Sequence, residues 1–388
     1  SATKEFRGFG HVESRDADQT SSVNDFHQDY QRKGRVYQSA IYDVSGNLWR
    51  KEQKTYSSST PYPGLNAFFT HLDQADAFVY DGDLTFTQTR VRHAYDAYGN
   101  LTASYIEGDV SLTGDEKSTV TSYNLNPSAW ILNTPSLVQS FDASSNLVSQ
   151  VRTYYDGATD LATPPAKGNP TREEKWLNVP TVQWIGTGIG FDAYGNPAVV
   201  TDALGRTTTN GYDSTYTFLT AGTSPLGHKR AMTYDPRNGL MLSITDQNNV
   251  IGYSAYDALG RKTSQTIVNP ATGQTNVQAE MEYRVSSVPA RIKTTAYTQP
   301  GRAGGLTTYV FSDGWGRRIQ TRGPAEEPGR QNVTGAALHD AKGQMIKQWT
   351  AYSDAFSEEY VAPPFASLAT PEEYTYDPVG RITSTKTA

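Results

Sequence analysis

The chain has 388 residues, a formal net charge of −6 and no cysteine. So mild a charge, with no basic block, gives neither nucleic acid nor an anionic membrane surface electrostatic support as a partner. The missing cysteines exclude disulfides and thiolate metal sites, and no apolar run nears the ~18–20 residues that span a bilayer.

Hydrophobic residues make up only 36% of the chain, against roughly 45–50% in ordinary globular domains. A thick core is not expected, yet 25 Tyr, 13 Phe and 6 Trp exclude a disordered chain. From the start, Ser1-Ala-Thr-Lys-Glu5 is no signal peptide, and the sequence begins and ends inside its own pattern, as an excised fragment would. The first Asp-x-x-Gly unit is Asp43–Gly46. The stretch "NAFFTHLDQADAFV" (66–79) carries the best helical spacing, but it runs into Tyr80-Asp81-Gly82, a turn signal, and reads as a strand. A second unit is Asp96–Gly99, and a degenerate copy starts at Asp142. The Pro/Gly-rich stretch 157–170 reads as a long surface loop. Asp192–Gly195 and Asp202–Gly205 follow ten residues apart. Degenerate copies at Asp235 and Asp246 precede Asp257–Gly260, and then come Asp313–Gly316, Asp340–Gly343 and Asp377–Gly380. Two more Pro/Gly-rich stretches, 323–330 and 363–371, read as loops.

The residue after each of these eight glycines is Asn47, Asn100, Asn196, Arg206, Arg261, Arg317, Gln344 or Arg381, always a hydrogen-bonding side chain. Tyr-Asp occurs eight times, where chance gives roughly 1.6, so the chain is an internal repeat. Each unit reads as a turn. Asp is favoured at the first position of a type I turn, and Gly at the fourth supplies the left-handed conformation that closes a three-residue hairpin loop. β-branched runs such as "RTTTNGY", "RKTSQTIV" and "RITSTKT" leave the turns as strands. Roughly 30 strands fit in the chain, too many for a flat open sheet, so the sheet must coil, split or form blades. Uneven spacing disfavours a propeller, and low apolar content disfavours a sandwich. The expected fold is all-β: many antiparallel hairpins in one long coiled sheet, with a less regular region over 1–165 and the clear repeat array over 166–388 continuing the same sheet. Tyr beside the turns is expected to stack on neighbouring aromatics and turn its hydroxyl to water.

"YDAYGN" (95–100), "FDAYGN" (191–196), "YDALGR" (256–261) and "YDPVGR" (376–381) resemble the YD repeats of the RHS-repeat superfamily, and residues 199–266 match that pattern throughout. "EFRGFGHVESRD" (5–16), "HQDYQRKGRVYQSAIYDVSGN" (27–47) and "YNLNPSAWILNTPSLVQSFD" (123–142) resemble the region before the repeats in B-component-like and SpvB-like bacterial toxin proteins. The resemblance is weakest over 267–310 and 320–372. It implies hairpins spiralling into the wall of a hollow shell that encloses a toxic C-terminal domain; in related animal proteins the shell belongs to an adhesion receptor. It also implies a secreted or cell-envelope location, and partnership with a cargo domain or other shell segments. The chain departs from that pattern. No divergent toxin domain follows the repeats, and the family's Asp-Pro-x-Gly-Leu cleavage motif has only an imperfect counterpart, with Arg381 where Leu belongs. A partial wall without self-cleavage is expected.

The 25 Asp and 15 Glu invite a glycosidase pair, but nearly half of the Asp fall in turn units. Asp81-Gly-Asp83 is the best local calcium pair, short of the 6–8 oxygens that ion takes. His11, His27, His71, His93, His228 and His339 are scattered, and Gly186-Thr-Gly188-Ile-Gly190 runs into a hairpin instead of a helix. The arginines after Gly are read as bonding to neighbouring strands or turns. The residues that matter are therefore turn formers: Asp43, Gly46, Asp96, Gly99, Asp192, Gly195, Asp202, Gly205, Asp257, Gly260, Asp313, Gly316, Asp340, Gly343, Asp377 and Gly380. No catalytic residue, cofactor or metal is expected. The alternative reading is an extracellular adhesin or carbohydrate-binding array.

Overall fold

The structure, a computed structural model, describes residues 5–60, 67–178 and 181–387. Residues 1–4 of the N-terminal stretch and Asn66 lie outside them. The described residues form strands, three short 3-10 turns and no α-helix. The chain divides into two compact units, Ser1–Arg206 with Asp377–Arg381, and Thr207–Tyr376 with Ile382–Ala388.

In the first unit the strands are β1 (His11–Arg15), β2 (Ser21–Phe26), β3 (Val36–Tyr42), β4 (Leu48–Ser59), β5 (Phe69–Tyr80), β6 (Phe86–Tyr95), β7 (Leu101–Asp109), β8 (Lys117–Tyr123), β9 (Pro135–Phe141), β10 (Leu147–Tyr155), β11 (Pro170–Asn178), β12 (Val182–Phe191) and β13 (Pro197–Thr201). Each pairs antiparallel with the next. The second unit holds β14 (Thr207–Tyr212), β15 (Leu219–Thr223), β16 (Lys229–Tyr234), β17 (Met241–Thr245), β18 (Ile251–Tyr256), β19 (Lys262–Asn269), β20 (Gln274–Arg284), β21 (Ala290–Gln299), β22 (Ala303–Ser312), β23 (Arg318–Pro324) and β24 (Arg330–Thr334), paired in the same way. The chain then leaves this sheet as β25 (Ala337–His339) and β26 (Met345–Gln348), and returns as β27 (Tyr352–Ala355) beside β24. Finally β28 (Glu372–Tyr376) and β29 (Ile382–Lys386) join β25 and β26 in a separate four-stranded sheet. The helically spaced stretch before Tyr80 is β5.

One local design recurs at the hairpin ends. In all eight complete units the Asp amide donates to the carbonyl of the residue after Gly (2.9–3.0 Å), and the Gly amide donates back to the Asp carbonyl (2.9–3.2 Å). The glycines have φ between +77° and +89°, a left-handed conformation in which any Cβ crowds its own carbonyl. Every Asp Oδ1 accepts two more amides, from the second and fourth residues on, at 2.8–3.0 Å. Oδ2 takes the side chain after Gly: Asn47, Asn100 and Asn196 through Nδ2, and Arg206, Arg261, Arg317 and Arg381 through Nε. A carboxylate thus satisfies amides that a turn leaves without ladder partners.

The same turn appears without its signature. Ser224-Pro-Leu-Gly227-His228 closes identically, the Ser224 Oγ standing in for the carboxylate and accepting from the His228 amide at 3.2 Å. At Asp142 and Asp246 the left-handed position is taken by Ser145 (φ 62°) and Asn249 (φ 61°). Asp156, the Asp of a Tyr-Asp pair, closes the much longer loop up to Asn169 by accepting four backbone amides, from Ala166, Lys167, Gly168 and Asn169.

The tyrosines correct the expectation of water-facing hydroxyls. At one edge of an antiparallel array a turn joins every second pair of strands, and the pairs between are open there. At six such openings a Tyr near the end of one strand donates its hydroxyl to a backbone carbonyl of an earlier strand, its neighbour in the sheet. The pairs are Tyr95–Leu72, Tyr123–Leu101, Tyr155–Pro135, Tyr256–Met241, Tyr283–Lys262 and Tyr376–Met345, at 2.7–3.1 Å. Partial burial raises the pKa of Tyr95, Tyr123 and Tyr155, as a neutral donor requires.

Three measurements check this account. Gly205→Ala meets no atom within 4 Å and should cost only the left-handed penalty, about 1 kcal/mol; Gly99→Ala should cost more, because its Cβ would lie 2.9 Å from the Phe69 ring, both read by urea unfolding. Tyr155→Phe should destabilise by about 1 kcal/mol, whereas Tyr98→Phe at an exposed turn tip should be near neutral; equal costs would remove the edge-closing role. The third is pH. The Arg206 amide and then its guanidinium hold Asp202 below its ordinary value. The Thr215 hydroxyl and then the Phe218 amide lower Asp213 to about 2, and the Arg237 side chain lowers Asp235 to about 2. A carboxylate depressed in the folded state stabilises above its unfolded value, about 3.9, and loses that contribution as pH falls through the folded one. The unfolding temperature should therefore hold from pH 7 to about 5 and fall between about 4 and 2.

Candidate functional site

The sixteen turn residues are spread over hairpin ends, and each Asp is occupied by its own turn. Asp83 accepts the Thr85 amide and hydroxyl, and among the described residues no three His, Asp or Glu are grouped to hold a metal ion. Gly186, Gly188 and Gly190 lie inside β12, so their amides do not converge on a phosphate. The arginines after Gly bond to the Asp of their own turn.

What sequence reasoning missed is a polar face on the second unit. In strict alternation, Glu282 and Arg284 of β20, Arg291 and Lys293 of β21, Tyr309 and Phe311 of β22, Gln320 and Arg322 of β23, and Gln331 and Val333 of β24 point the same way, in cross-strand register. The largest fully buried side chains of the described residues are Arg322, Tyr309, Phe311, Gln320, Val333 and Pro165, so five of six lie on this face. Tyr309, Phe311 and Gln320 contact the segment after β27, and Arg322 contacts β27 itself. From β27 the segment reaches out across β24 to β20 and comes back to β23.

The cover is held almost wholly by side chains. Arg322 Nη2 donates to the Asp354 carboxylate (2.9 Å) and the Ala355 carbonyl (2.6 Å), while its Nε donates to Gln331 Oε1 (2.9 Å). The Ser357 amide donates to the same Gln331 oxygen at 2.9 Å. The Glu358 carboxylate accepts from the Tyr309 hydroxyl (2.9 Å) and Lys293 (3.4 Å), and its carbonyl accepts from Arg291 (3.0 Å). Glu359 pairs with Arg284 and Arg291. Gln320 clamps Val361 on both sides, donating to its carbonyl at 2.7 Å and accepting from its amide at 3.4 Å. Tyr360 stands edge-on to Phe311, and Phe356 to Tyr309.

Burial and then the Glu358 carboxylate push the Tyr309 hydroxyl up to about 12. In return the Tyr309 hydroxyl, ahead of Lys293 and Arg291, holds Glu358 below its usual range. Arg284 does the same for Glu359. The face thus offers cationic and hydroxyl donors to carboxylates and backbone carbonyls, with Gln320 and Gln331 also accepting amides and Glu282 holding Arg291 from within the face at 2.7 Å. Its only sequence trace is the alternation of long polar residues in β20–β23, in the region where the repeat resemblance is weakest.

The chain matches no protein-family model and no curated protein. Solved structures do match. TcdB2-TccC3 without its hypervariable C-terminal region aligns at a TM-score of 0.75 and 13% identity, over 98% of this chain and 31% of that one. The TcdB2-TccC3 crystal structure gives 0.74 and 14%, over 98% and 29%. The Photorhabdus luminescens Tc holotoxin pore, carrying a TccC3 mutation, gives 0.75 and 13%, over 98% and 31%. The chain therefore spans less than a third of the length of these structures. Over nearly all of its own length, it has the all-β hairpin-array fold found in the TcdB2-TccC3 toxin structures.

Proposed function

We propose that the chain is a wall segment of a toxin-carrying shell, structural in role, which encloses or carries a toxic C-terminal cargo together with other shell segments, in a secreted or cell-envelope setting. The observation that carries this reading is the fold likeness to TcdB2-TccC3 over 98% of the chain. The fate of the repeat carboxylates supports it: the aspartates of all eight complete units are spent on holding backbone turns. The adhesin reading draws on one observation, the large side chains at the turn tips, with Tyr194 70%, Leu204 77%, Leu259 76% and Trp315 85% exposed. The same tips also fit contact with further shell segments.

Solution scattering separates a wall from a globule. A solid globule of this length has a radius of gyration of about 21 Å; a wall segment should exceed that clearly, and a value near it would sink the proposal. Intact mass should stay constant on storage, since self-cleavage would shorten the chain. On a glycan array no specific ligand is expected; binding abolished by Trp315→Ala or Tyr194→Ala would favour the adhesin.

A further inference from the structure

The polar face of the second unit is built as a receptor for a polypeptide segment. Its occupant, residues 357–361, belongs to no strand. Three side chains of the face bond main-chain atoms of this occupant: Gln331 at the Ser357 amide, Arg291 at the Glu358 carbonyl, and Gln320 on both sides of Val361; Arg322 reaches the carbonyl of Ala355, the last residue of β27. Such bonds do not depend on side-chain identity. Selectivity comes from Arg284, Arg291 and Lys293, which take two adjacent carboxylates, and from Phe311, which takes the aromatic that follows. The face also holds donor capacity beyond what this occupant uses. Nε of Arg284, Nε of Arg291 and Nη1 of Arg322 are buried without a hydrogen-bond partner, although the Arg291 and Arg322 side chains are only 7% and 0% exposed. A segment held by side chains opens at lower free energy than the ladders beneath it.

We propose that this face of β20–β24 is a binding site for an acidic polypeptide segment outside regular secondary structure, two adjacent carboxylates followed by an aromatic. In this structure the chain's own residues 357–361 fill it, and a segment of the same chemistry on another polypeptide can replace them. The inference rests on the contacts of the second unit alone and not on the shell reading. The internal segment has the advantage of its tether, an effective concentration in the mM range, so exchange requires that the internal copy be weakened.

The test uses the full chain carrying Glu358→Lys and Glu359→Lys, which sets two cations against Arg284, Arg291 and Lys293. A fluorescent peptide with the sequence of residues 354–363, DAFSEEYVAP, is titrated against it by anisotropy. Saturable binding is expected, at least tenfold tighter than to the unaltered chain, weakened at least tenfold when both glutamates of the peptide are glutamine, and weakened by salt. Absence of binding to the folded variant, or equal binding to the unaltered chain, overturns the proposal. If the variant is destabilised, the peptide must raise its unfolding temperature in a concentration-dependent way; a variant that neither folds nor responds marks the segment as fixed core, which also overturns it. In the unaltered chain the Ser357 and Val361 amides should exchange hydrogen faster than those of β21–β23. Exchange only with global unfolding counts against the proposal.

Discussion

The structure depends on one interaction, a carboxylate that accepts the stray amides of its own turn. With 36% hydrophobic residues and few fully buried side chains, this chain cannot rely on a thick core to hold its hairpins in register. Register must be fixed at each turn, and Asp fixes it. One oxygen gathers the amides two and four residues on, and the other holds the side chain that opens the next strand. The glycine carries the one backbone conformation that lets the chain re-enter the ladder, and the pairing shifts by one residue beside it, as between Ile41 and Tyr42 or Ala255 and Tyr256. A slip by one residue would forfeit the whole set of bonds.

Turns alone leave every second strand pair open at a given edge, and the tyrosine closes it. In four Tyr-Asp dipeptides, those at Tyr95, Tyr155, Tyr256 and Tyr376, two functions are therefore joined in adjacent residues. The Asp closes its own hairpin, and the Tyr ties that hairpin to the one before. Between the edges, cross-strand pairs of long side chains hold the faces, as where Arg152 lies 3.6 Å from the Trp184 ring centre or Tyr154 donates to Glu174 at 2.7 Å. Each of these contacts joins strands close in sequence, so an array built this way can be lengthened without redesign.

The local half of this was legible in the sequence, because Asp, Gly and the residue after Gly interact within five positions. The eight complete units stand in the sequence itself, with strand-forming residues between them. Ser224 escaped, since a hydroxyl does a carboxylate's work there and only Gly227 and His228 keep the pattern. The tyrosine's partner escaped too: Leu101 and Lys262 are more than twenty residues from Tyr123 and Tyr283, and offer a backbone carbonyl that no side-chain pattern betrays. The polar face was illegible for the same reason on a larger scale. Arg291 and Glu358 are 67 positions apart, and Arg322 reads in sequence as an ordinary surface arginine of a strand.

That face also shows why burial here does not follow hydrophobicity. Burying a guanidinium as completely as that of Arg322 is costly unless its donors find acceptors, and a carboxylate alone would leave most of its fork unpaired. The edge strand β27 supplies the Asp354 carboxylate and the Ala355 carbonyl to Arg322, and the sheet in turn supplies donors to the Glu358 and Val361 carbonyls of the cover, which have no ladder. Each surface is thus incomplete without the other, whereas the Asp turns are complete in themselves. Two kinds of polar contact coexist in one chain. The turns satisfy their amides within five residues and cannot exchange partners without breaking the hairpin. The covered face satisfies its groups across tens of residues, through side chains reaching a segment outside the ladder, and such a contact can change partners while the strands beneath it stay paired.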